Sequence, residues 1–202
     1  MCDSQRLKQL EDANSALRET NAQLKAEIDF LKKHPVFAAG IKGETLICDL
    51  VGGKLTTFAE SFDVTVGTCK LEVKYSNLGV PVKGCATRRW SWSKPLGWKD
   101  KGKDYDYLIL IGQKDDRFPG QYLDATRYVC FFIPRQKVDS LMFKGAAIGG
   151  VIQLTTNFKS IENQQSKMLL VHMVKIEEVS ALIKQWQSTK TGFETPIPPA
   201  PA

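Results

Sequence analysis

The sequence predicts an α/β protein that carries a coiled-coil helix at its N-terminus. Leucine recurs every seven residues from Leu10 to Leu31, which is the spacing of a coiled coil. Residues 69–76 alternate between apolar and polar side chains, which predicts a strand with one face in a core. Residues 106–112 and 128–134 are short and strongly apolar, as the central strands of an α/β sheet are.

Residues 1–33 are predicted to form a coiled-coil dimerisation helix. The a positions of its heptads hold Leu7, Asn14, Asn21 and Ile28, and the d positions hold Leu10, Leu17, Leu24 and Leu31. Asparagine at an a position lowers stability, but it fixes the register and favours two parallel strands. Glu27 and Lys32 lie at g and e positions, so they would attract each other across a parallel homodimer. The alternative is an amphipathic helix that packs on its own domain.

Residues 34–190 are predicted to form one domain. Pro35 interrupts the helical pattern, so a second helix is expected over 36–50, ending before Gly52. The expected strands are 54–58, 62–66, 69–76, 106–112, 128–134 and 151–156. A tight turn at Gly67 and Thr68 joins the second and third of these strands. The rest is expected to be a long polar loop (77–103), a short helix (135–143), a mostly helical segment (160–187) and a proline-rich disordered tail (191–202).

A pair of acids and a lysine are brought together by this arrangement. Pairing the strand 62–66 with the strand 69–76 places Asp63 near Glu72 and Lys74. Two carboxylates and a lysine at one site can hold Mg²⁺ and activate a water for phosphodiester cleavage. A Glu-x-Lys element alone is weak evidence, because charges alternate on many solvent-facing strands.

The order of these residues along the chain is more specific. Glu44 lies in the predicted second helix, Asp63 lies on the predicted strand 62–66, and Glu72-Val73-Lys74 lies on the next strand. This order resembles the PD-(D/E)XK nuclease superfamily, which includes many type II restriction endonucleases. The resemblance covers roughly residues 35–157 and implies a restriction-endonuclease-like core, in which helices flank a mixed central sheet.

The resemblance also implies a role for each residue. Asp63 and Glu72 would be metal ligands, the backbone carbonyl of Val73 would reach the same Mg²⁺, and Glu44 would add a ligand directly or through water. Oxygen ligands suit Mg²⁺. Lys74 would orient or deprotonate the attacking water, or stabilise the charge on phosphorus. A nearby metal and burial would lower the pKa of Lys74.

Two points of the pattern differ or stay open. The residue before Asp63 is Phe62, where the family pattern has proline. The third acid could be Asp49 or Glu60 in place of Glu44, because sequence spacing alone does not separate them.

The charge of the chain favours a polyanion partner. Its 202 residues carry a formal net charge of +6, which suits the phosphates of double-stranded DNA. The residues predicted to bind DNA are Arg88, Arg89, Trp90, Trp92, Lys94 and Lys99. Arginine can contact phosphates or read guanine. The tryptophans could pack on the DNA or anchor the segment in the core, and the alternative for the whole stretch is a solvated basic loop.

The cysteines and the hydropathy of the chain indicate its cellular compartment. The five cysteines form no Cys-x-x-Cys pair and only two histidines are present, which argues against a zinc site. This usage fits a reducing cytoplasm. The charged first thirty residues do not read as a signal peptide, and no apolar run approaches the length of a membrane span.

The sequence thus predicts a homodimeric Mg²⁺-dependent DNA endonuclease that cuts both strands of a specific duplex site. One alternative is a structure-specific, homing or repair nuclease. Another is a non-catalytic DNA-binding module that is paired through the zipper. A basic-zipper regulator is not expected, because only six residues precede Leu7 in this sequence, too few for a basic recognition helix.

Overall fold

The computed structural model describes residues 3–33, 35–57, 60–79, 87–98, 101–143 and 150–191. Within it the chain divides into two compact units, Met1–Ile41 and Lys42–Ala202. Except for Thr191, the predicted proline-rich tail lies outside the described residues. None of the helices in these ranges has the length and apolar character that crossing a membrane requires.

The first unit is dominated by helix α1 (Asp3–Lys33), close to the predicted bounds. The apolar residues of its heptads form a stripe along one side of the helix. Five of them keep 49–64 % of their surface exposed: Leu7, Leu10, Leu17, Leu24 and Ile28. The helix therefore leaves most of its apolar stripe open to solvent in the single chain.

The other elements follow in the order of the sequence. The helices are α2 (Pro35–Val51), α3 (Val138–Leu141), α4 (Gln164–Leu170) and α5 (Val179–Thr191). The first six strands are β1 (Lys54–Leu55), β2 (Val64–Val66), β3 (Cys69–Ser76), β4 (Arg89–Ser93), β5 (Gly97–Trp98) and β6 (Lys101–Gly102). The last four are β7 (Tyr107–Gln113), β8 (Tyr128–Pro134), β9 (Val151–Thr155) and β10 (Met173–Val174).

Six strands form a mixed central sheet in the order β1-β2-β3-β7-β8-β10. Only β3 and β7 pair in parallel, and the other neighbours are antiparallel. Strands β4 and β9 form a separate two-stranded ribbon, and β5 and β6 form a short hairpin. The prediction of an α/β protein with helices flanking a mixed central sheet is confirmed at this level.

The two faces of the sheet bury different clusters. Cys69, Leu71 and Val73 of β3 pack in one cluster with residues of α2 and α5. Because side chains alternate along a strand, Glu72 and Lys74 lie on the opposite face. On that face Leu108 and Leu110 of β7, their partners in register, pack against the tryptophans of β4. The predicted alternation of β3 is therefore confirmed.

Two predicted segments differ from the structure. The stretch predicted as a polar loop contains β4, β5 and β6. In β4 the alternation of arginine, tryptophan and serine produces alternating exposed and buried residues, a period-two signal that the loop prediction missed. The segment 160–187, predicted as mostly helical, is interrupted by β10, which pairs with the edge of β8.

A buried carboxylate connects the end of β7 to the end of β9. Asp115 is 1 % exposed, accepts hydrogen bonds from Nε and Nη2 of Arg117 at 2.8 and 2.6 Å, and accepts one from Oγ1 of Thr156 at 2.8 Å. The bonds from Arg117 hold the pKa of Asp115 well below its ordinary value of 3.8, and that from Thr156 adds to the effect. Ionised Asp115 therefore stabilises the fold above about pH 4.

We expect Asp115→Ala to lower the free energy of unfolding by about 2 kcal/mol at pH 7, because the buried Thr156 hydroxyl loses its acceptor. Urea denaturation measures this, with Asp116→Ala as the exposed neighbouring control. The folded pKa is depressed, so the stabilisation is lost as the pH falls below about 4. A difference between wild type and variant that persisted unchanged to pH 2 would contradict this assignment.

Candidate active site

The strand β3 and its neighbour β2 place the predicted acids side by side. Asp63 lies just before β2, and its backbone N–H donates to the carbonyl of Leu71 at 2.9 Å. Its Oδ2 accepts a hydrogen bond from the backbone N–H of Val73 at 2.8 Å. The turn between the strands is tight because Gly67 adopts a φ of +57°, which glycine accepts without strain. Asp63 is thereby fixed beside the segment that carries Glu72 and Lys74.

Glu72 is the centre of an ion-pair network. Its side chain is fully buried, and its Oε1 lies 2.5 Å from Nζ of Lys74 and 2.5 Å from Nζ of Lys103. Nζ of Lys103 also lies 4.0 Å from Oδ1 of Asp63. The other oxygen of Glu72, Oε2, is buried and has no hydrogen-bond partner in the described part of the chain. Three of the predicted site residues thus meet, together with a lysine that the sequence did not single out for this site.

Lys103 reaches the site through the β5–β6 hairpin. The hairpin pairs Gly97 with Gly102, and the backbone N–H of Lys103 donates to the carbonyl of Leu96 at 3.1 Å. The hydroxyl of Tyr105 donates to the carbonyl of Pro95 at 2.7 Å. In the sequence Lys103 is one of several basic residues in a polar stretch, so no local signal separates it from the others.

Burial dominates the electrostatics of Glu72. It raises the pKa of this carboxyl to about 7, the charge of Asp63 adds to the rise, and Lys74 and Lys103 oppose it. A buried carboxylate with one unpartnered oxygen is costly to keep ionised. The site would therefore gain from a further cation at that oxygen.

Lys74 is a cation in this site. Burial disfavours its charged form, but the charges of Glu72, Asp63 and Glu44 outweigh burial, so the pKa of Lys74 is raised. The lowering by burial that the sequence predicts is present, but the attraction of these acids for the ammonium exceeds it. In this environment Lys74 is a hydrogen-bond donor to Glu72 and supplies positive charge.

Helix α2 brings Glu44 to the same group. At Gly43 a Cβ would lie 2.8 Å from Cβ of Tyr75 on β3, so the absence of a side chain allows the helix to approach the strand closely. Glu44 is half-buried. Its pKa is raised by burial and by Asp63, and Lys74 and Lys103 act in the opposite direction, which shows that Glu44 interacts electrostatically with the site.

The two alternative third acids lie elsewhere. Asp49 and Glu60 are both exposed. Glu60 acts electrostatically on Lys70, whose Nζ pairs with Asp104 at 2.6 Å. The electrostatic interactions therefore favour Glu44 over these two residues as the third acid of the site.

The acids fit a divalent cation in donor type, although not as a complete cage. Among the described residues, no group of three or more histidine, cysteine, aspartate or glutamate side chains is arranged to hold a metal ion. The buried, unpartnered Oε2 of Glu72 is nevertheless an oxygen atom that could ligate a metal beside Asp63. Mg²⁺ binds through one or two carboxylates and keeps several waters, so Asp63 and Glu72 would suffice to hold it.

The tryptophans predicted to contact DNA are core residues. Trp90 and Trp92 are 0 % and 1 % exposed, and their indole N–H groups donate to the carbonyls of Gln113 at 2.8 Å and Ile111 at 3.0 Å. The prediction of DNA contact through these rings is therefore wrong. The alternative from the sequence holds, because the rings anchor β4 on the sheet face that carries Glu72.

The predicted basic residues have different exposures. Arg89 is exposed, and its Nη1 donates to Oε1 of Gln153 at 3.4 Å. Lys94 is also exposed, just after β4, with a φ of +53°. Arg88 is half-buried and its Nε is buried with no hydrogen-bond partner in the described part of the chain. Lys99 lies outside the described residues.

The outward face of the β4–β9 ribbon is polar. Its β4 side presents Arg89, Ser91 and Ser93, which are all exposed. Opposite them in register, Thr155 pairs with Arg89 and Gln153 pairs with Ser91. These short hydrogen-bonding side chains and one arginine lie on a ribbon that is packed against the Glu72 face of the sheet.

Comparison with known proteins adds no family assignment. No family model matches this chain, and no curated protein is significantly similar to it.

Proposed function

We propose that this protein is a Mg²⁺-dependent DNA endonuclease of the PD-(D/E)XK type, with a restriction-endonuclease-like core. The observation that carries the proposal is the meeting of Asp63, Glu72 and Lys74 at one point of the sheet, with Glu44 interacting electrostatically from α2. This cluster differs from an ordinary solvent-exposed ion pair, because the Glu72 side chain is fully buried and its Oε2 has no hydrogen-bond partner in the described part of the chain.

The proposed reaction is hydrolysis of a phosphodiester by in-line attack of water. The water oxygen bonds to phosphorus and releases a proton to solvent, while the bond from phosphorus to the 3′ oxygen breaks and that oxygen takes up a proton from solvent, which leaves a 3′-hydroxyl and a 5′-phosphate. Mg²⁺ held by Asp63 and Glu72 would lower the pKa of the attacking water and would offset the negative charge that develops on the phosphate. Lys74, as a cation, orients that water and stabilises the charge that develops on the phosphate oxygens.

The proposed DNA-binding surface is the β4–β9 ribbon. A two-stranded ribbon fits the major groove of B-DNA, and an arginine can read guanine there through two hydrogen bonds. On the outward face of the ribbon, Arg89, Ser91 and Gln153 carry side chains that can form hydrogen bonds with base edges. The net charge of +6 supports a phosphate-rich partner.

We further propose that α1 pairs two copies of the chain as a parallel coiled coil. Its apolar heptad positions are exposed in the single chain, and the asparagines at two a positions favour a two-stranded parallel arrangement. A homodimer carries two active sites, one for each DNA strand, so a palindromic site can be cut through both strands.

The test is cleavage of mixed phage DNA by the purified protein with Mg²⁺ or with EDTA, beside a Lys74→Ala variant. We expect discrete fragments that require Mg²⁺, and a loss of at least about 100-fold in rate in the variant, because charge stabilisation in the transition state is removed. Lys70→Ala is the matched control: it removes a lysine from the same strand, but one that pairs with Asp104, and it should cleave normally.

A non-catalytic DNA-binding module is the second candidate. The observation in its favour is that one oxygen of Glu72 already pairs with two lysines, as a purely structural ion cluster would. If diverse unmethylated DNA stays intact with every divalent metal while the protein still retards that DNA on a gel, this candidate replaces the nuclease. Cleavage confined to branched DNA would indicate a structure-specific nuclease.

A further inference from the structure

We propose that Lys103 is a built-in counter-cation that holds the place of the divalent metal between Asp63 and Glu72 and leaves it when the metal binds. The inference rests on the proposed function. Nζ of Lys103 lies 2.5 Å from Oε1 of Glu72 and 4.0 Å from Oδ1 of Asp63. These are the two carboxylates that would ligate Mg²⁺, so the ammonium and the metal compete for the same negative charge.

The charge balance of the site supports an exchange. Glu44, Asp63 and Glu72 contribute three negative charges when ionised. Lys74 and a divalent metal contribute three positive charges, whereas Lys74 and Lys103 contribute only two. Because unbalanced charge is costly in a buried site, the metal-bound site is balanced without Lys103, and the metal-free site needs it.

Position decides which lysine leaves. Lys74 belongs to β3, within the central sheet, where its backbone pairs in register with Leu110. The side chains of Lys74 and Lys103 are exposed to a similar extent, 25 % and 24 %, so the difference lies in the backbone: Lys103 follows only a two-residue strand of the β5–β6 hairpin. Its flexible stem therefore has a route from the carboxylates toward solvent.

A displaced Lys103 is available to a phosphate of the DNA backbone. The same ammonium would then weaken metal binding in the free protein and contribute a phosphate contact once the metal is bound. Because linkage between binding sites is reciprocal, DNA that captures Lys103 would raise the affinity for Mg²⁺. The site would thus take up its metal mainly on DNA.

The experiment is calorimetric titration of the metal-free 202-residue chain with MgCl₂. We expect Lys103→Met, which keeps the length of the side chain without its charge, to bind Mg²⁺ at least about 10-fold more tightly than wild type, because the competing cation is gone. Lys103→Arg keeps the charge and should retain the weaker affinity. Lys70→Met removes a charge that pairs with Asp104 and should match wild type.

Thermal unfolding separates competition from a merely structural ion pair. We expect Lys103→Met to lower the melting temperature in EDTA, because two carboxylates lose their counter-ion, and Mg²⁺ to restore it. A variant that is equally destabilised with and without Mg²⁺, at unchanged affinity, overturns the inference. If Lys103→Met does not fold in EDTA, its folding on addition of Mg²⁺ supports the inference and failure to fold with Mg²⁺ overturns it.

The failure of this inference is distinguishable from failure of the proposed function. If wild type binds Mg²⁺ and Lys103→Met binds it no more tightly, only the role of Lys103 is overturned. If neither protein binds Mg²⁺, with or without duplex DNA, the metal site itself is absent and the nuclease proposal fails with it.

Discussion

Glu72→Gln is expected to stop cleavage and, in the absence of metal, to stabilise the fold. Loss of a metal-binding carboxylate should lower the cleavage rate on the order of 1,000-fold. The same change removes a buried negative charge whose Oε2 has no partner. The pKa of Glu72 is raised from 4.5 to about 7, mainly by burial, so the ionised form is the unfavourable one in the folded chain. Glutamine resembles the protonated form.

The stabilisation should depend on pH with a defined sign. A folded-state pKa above the unfolded value contributes stability below the unfolded value, and this contribution is lost as the pH rises through the folded value. Wild type therefore loses stability relative to Glu72→Gln between pH 4.5 and about 7. At about 1.4 kcal/mol per pH unit, we expect the variant to be more stable by up to about 3 kcal/mol at pH 8.

Urea denaturation in EDTA at pH 5 and pH 8 measures this effect. Glu60→Gln removes the charge of an exposed glutamate and should change stability little at either pH. If Glu72→Gln is less stable than wild type at pH 8, the ion pairs with Lys74 and Lys103 outweigh the cost of burial. That outcome would mean that the pKa of Glu72 is not raised in the folded protein.

Charges placed in the heptad core of α1 are expected to separate the proposed dimer. In the double variant Leu17→Asp and Leu24→Asp, two carboxylates would be buried against their copies in the partner helix, which is unfavourable by desolvation and repulsion. We expect dimer dissociation to be favoured by more than about 100-fold, measured by analytical ultracentrifugation over a range of concentrations. Cleavage of both strands at one site should change to single-strand nicking.

The matched control places the same charges on the outside of the same helix. Ser15→Asp and Ala22→Asp lie at b positions of the same two heptads, seven residues apart, and both residues are exposed. This double variant should stay dimeric, because b positions face away from the partner. Wild type that sediments as a monomer at all concentrations would contradict the zipper itself.

Local patterns predicted most of the secondary structure. The strand at 69–76 and the strand at 128–134 have the predicted bounds, because alternation and continuous apolar runs are properties of neighbouring residues. The same holds for the turn at Gly67. The β4 strand was missed because its charged and aromatic residues were interpreted as a DNA-binding loop.

Contacts between residues that are far apart in the sequence could not be predicted from local patterns. The burial of Trp90 and Trp92 depends on carbonyl acceptors at the end of β7. Lys103 meets Glu72 only because the chain returns through the β5–β6 hairpin. The raised pKa of Lys74 reflects acids contributed by three different segments.

By itself, therefore, the sequence determined the α/β class, the heptad helix and the Asp63, Glu72 and Lys74 cluster, because each depends on local periodicity or on strands that are joined by a short turn. The tertiary structure decided that Trp90 and Trp92 are core residues and that Lys103 is the second lysine at Glu72, and it favours Glu44 electrostatically over Asp49 and Glu60. Those outcomes depend on burial and on contacts between distant segments, since desolvation and charge interactions exist only once the chain is packed.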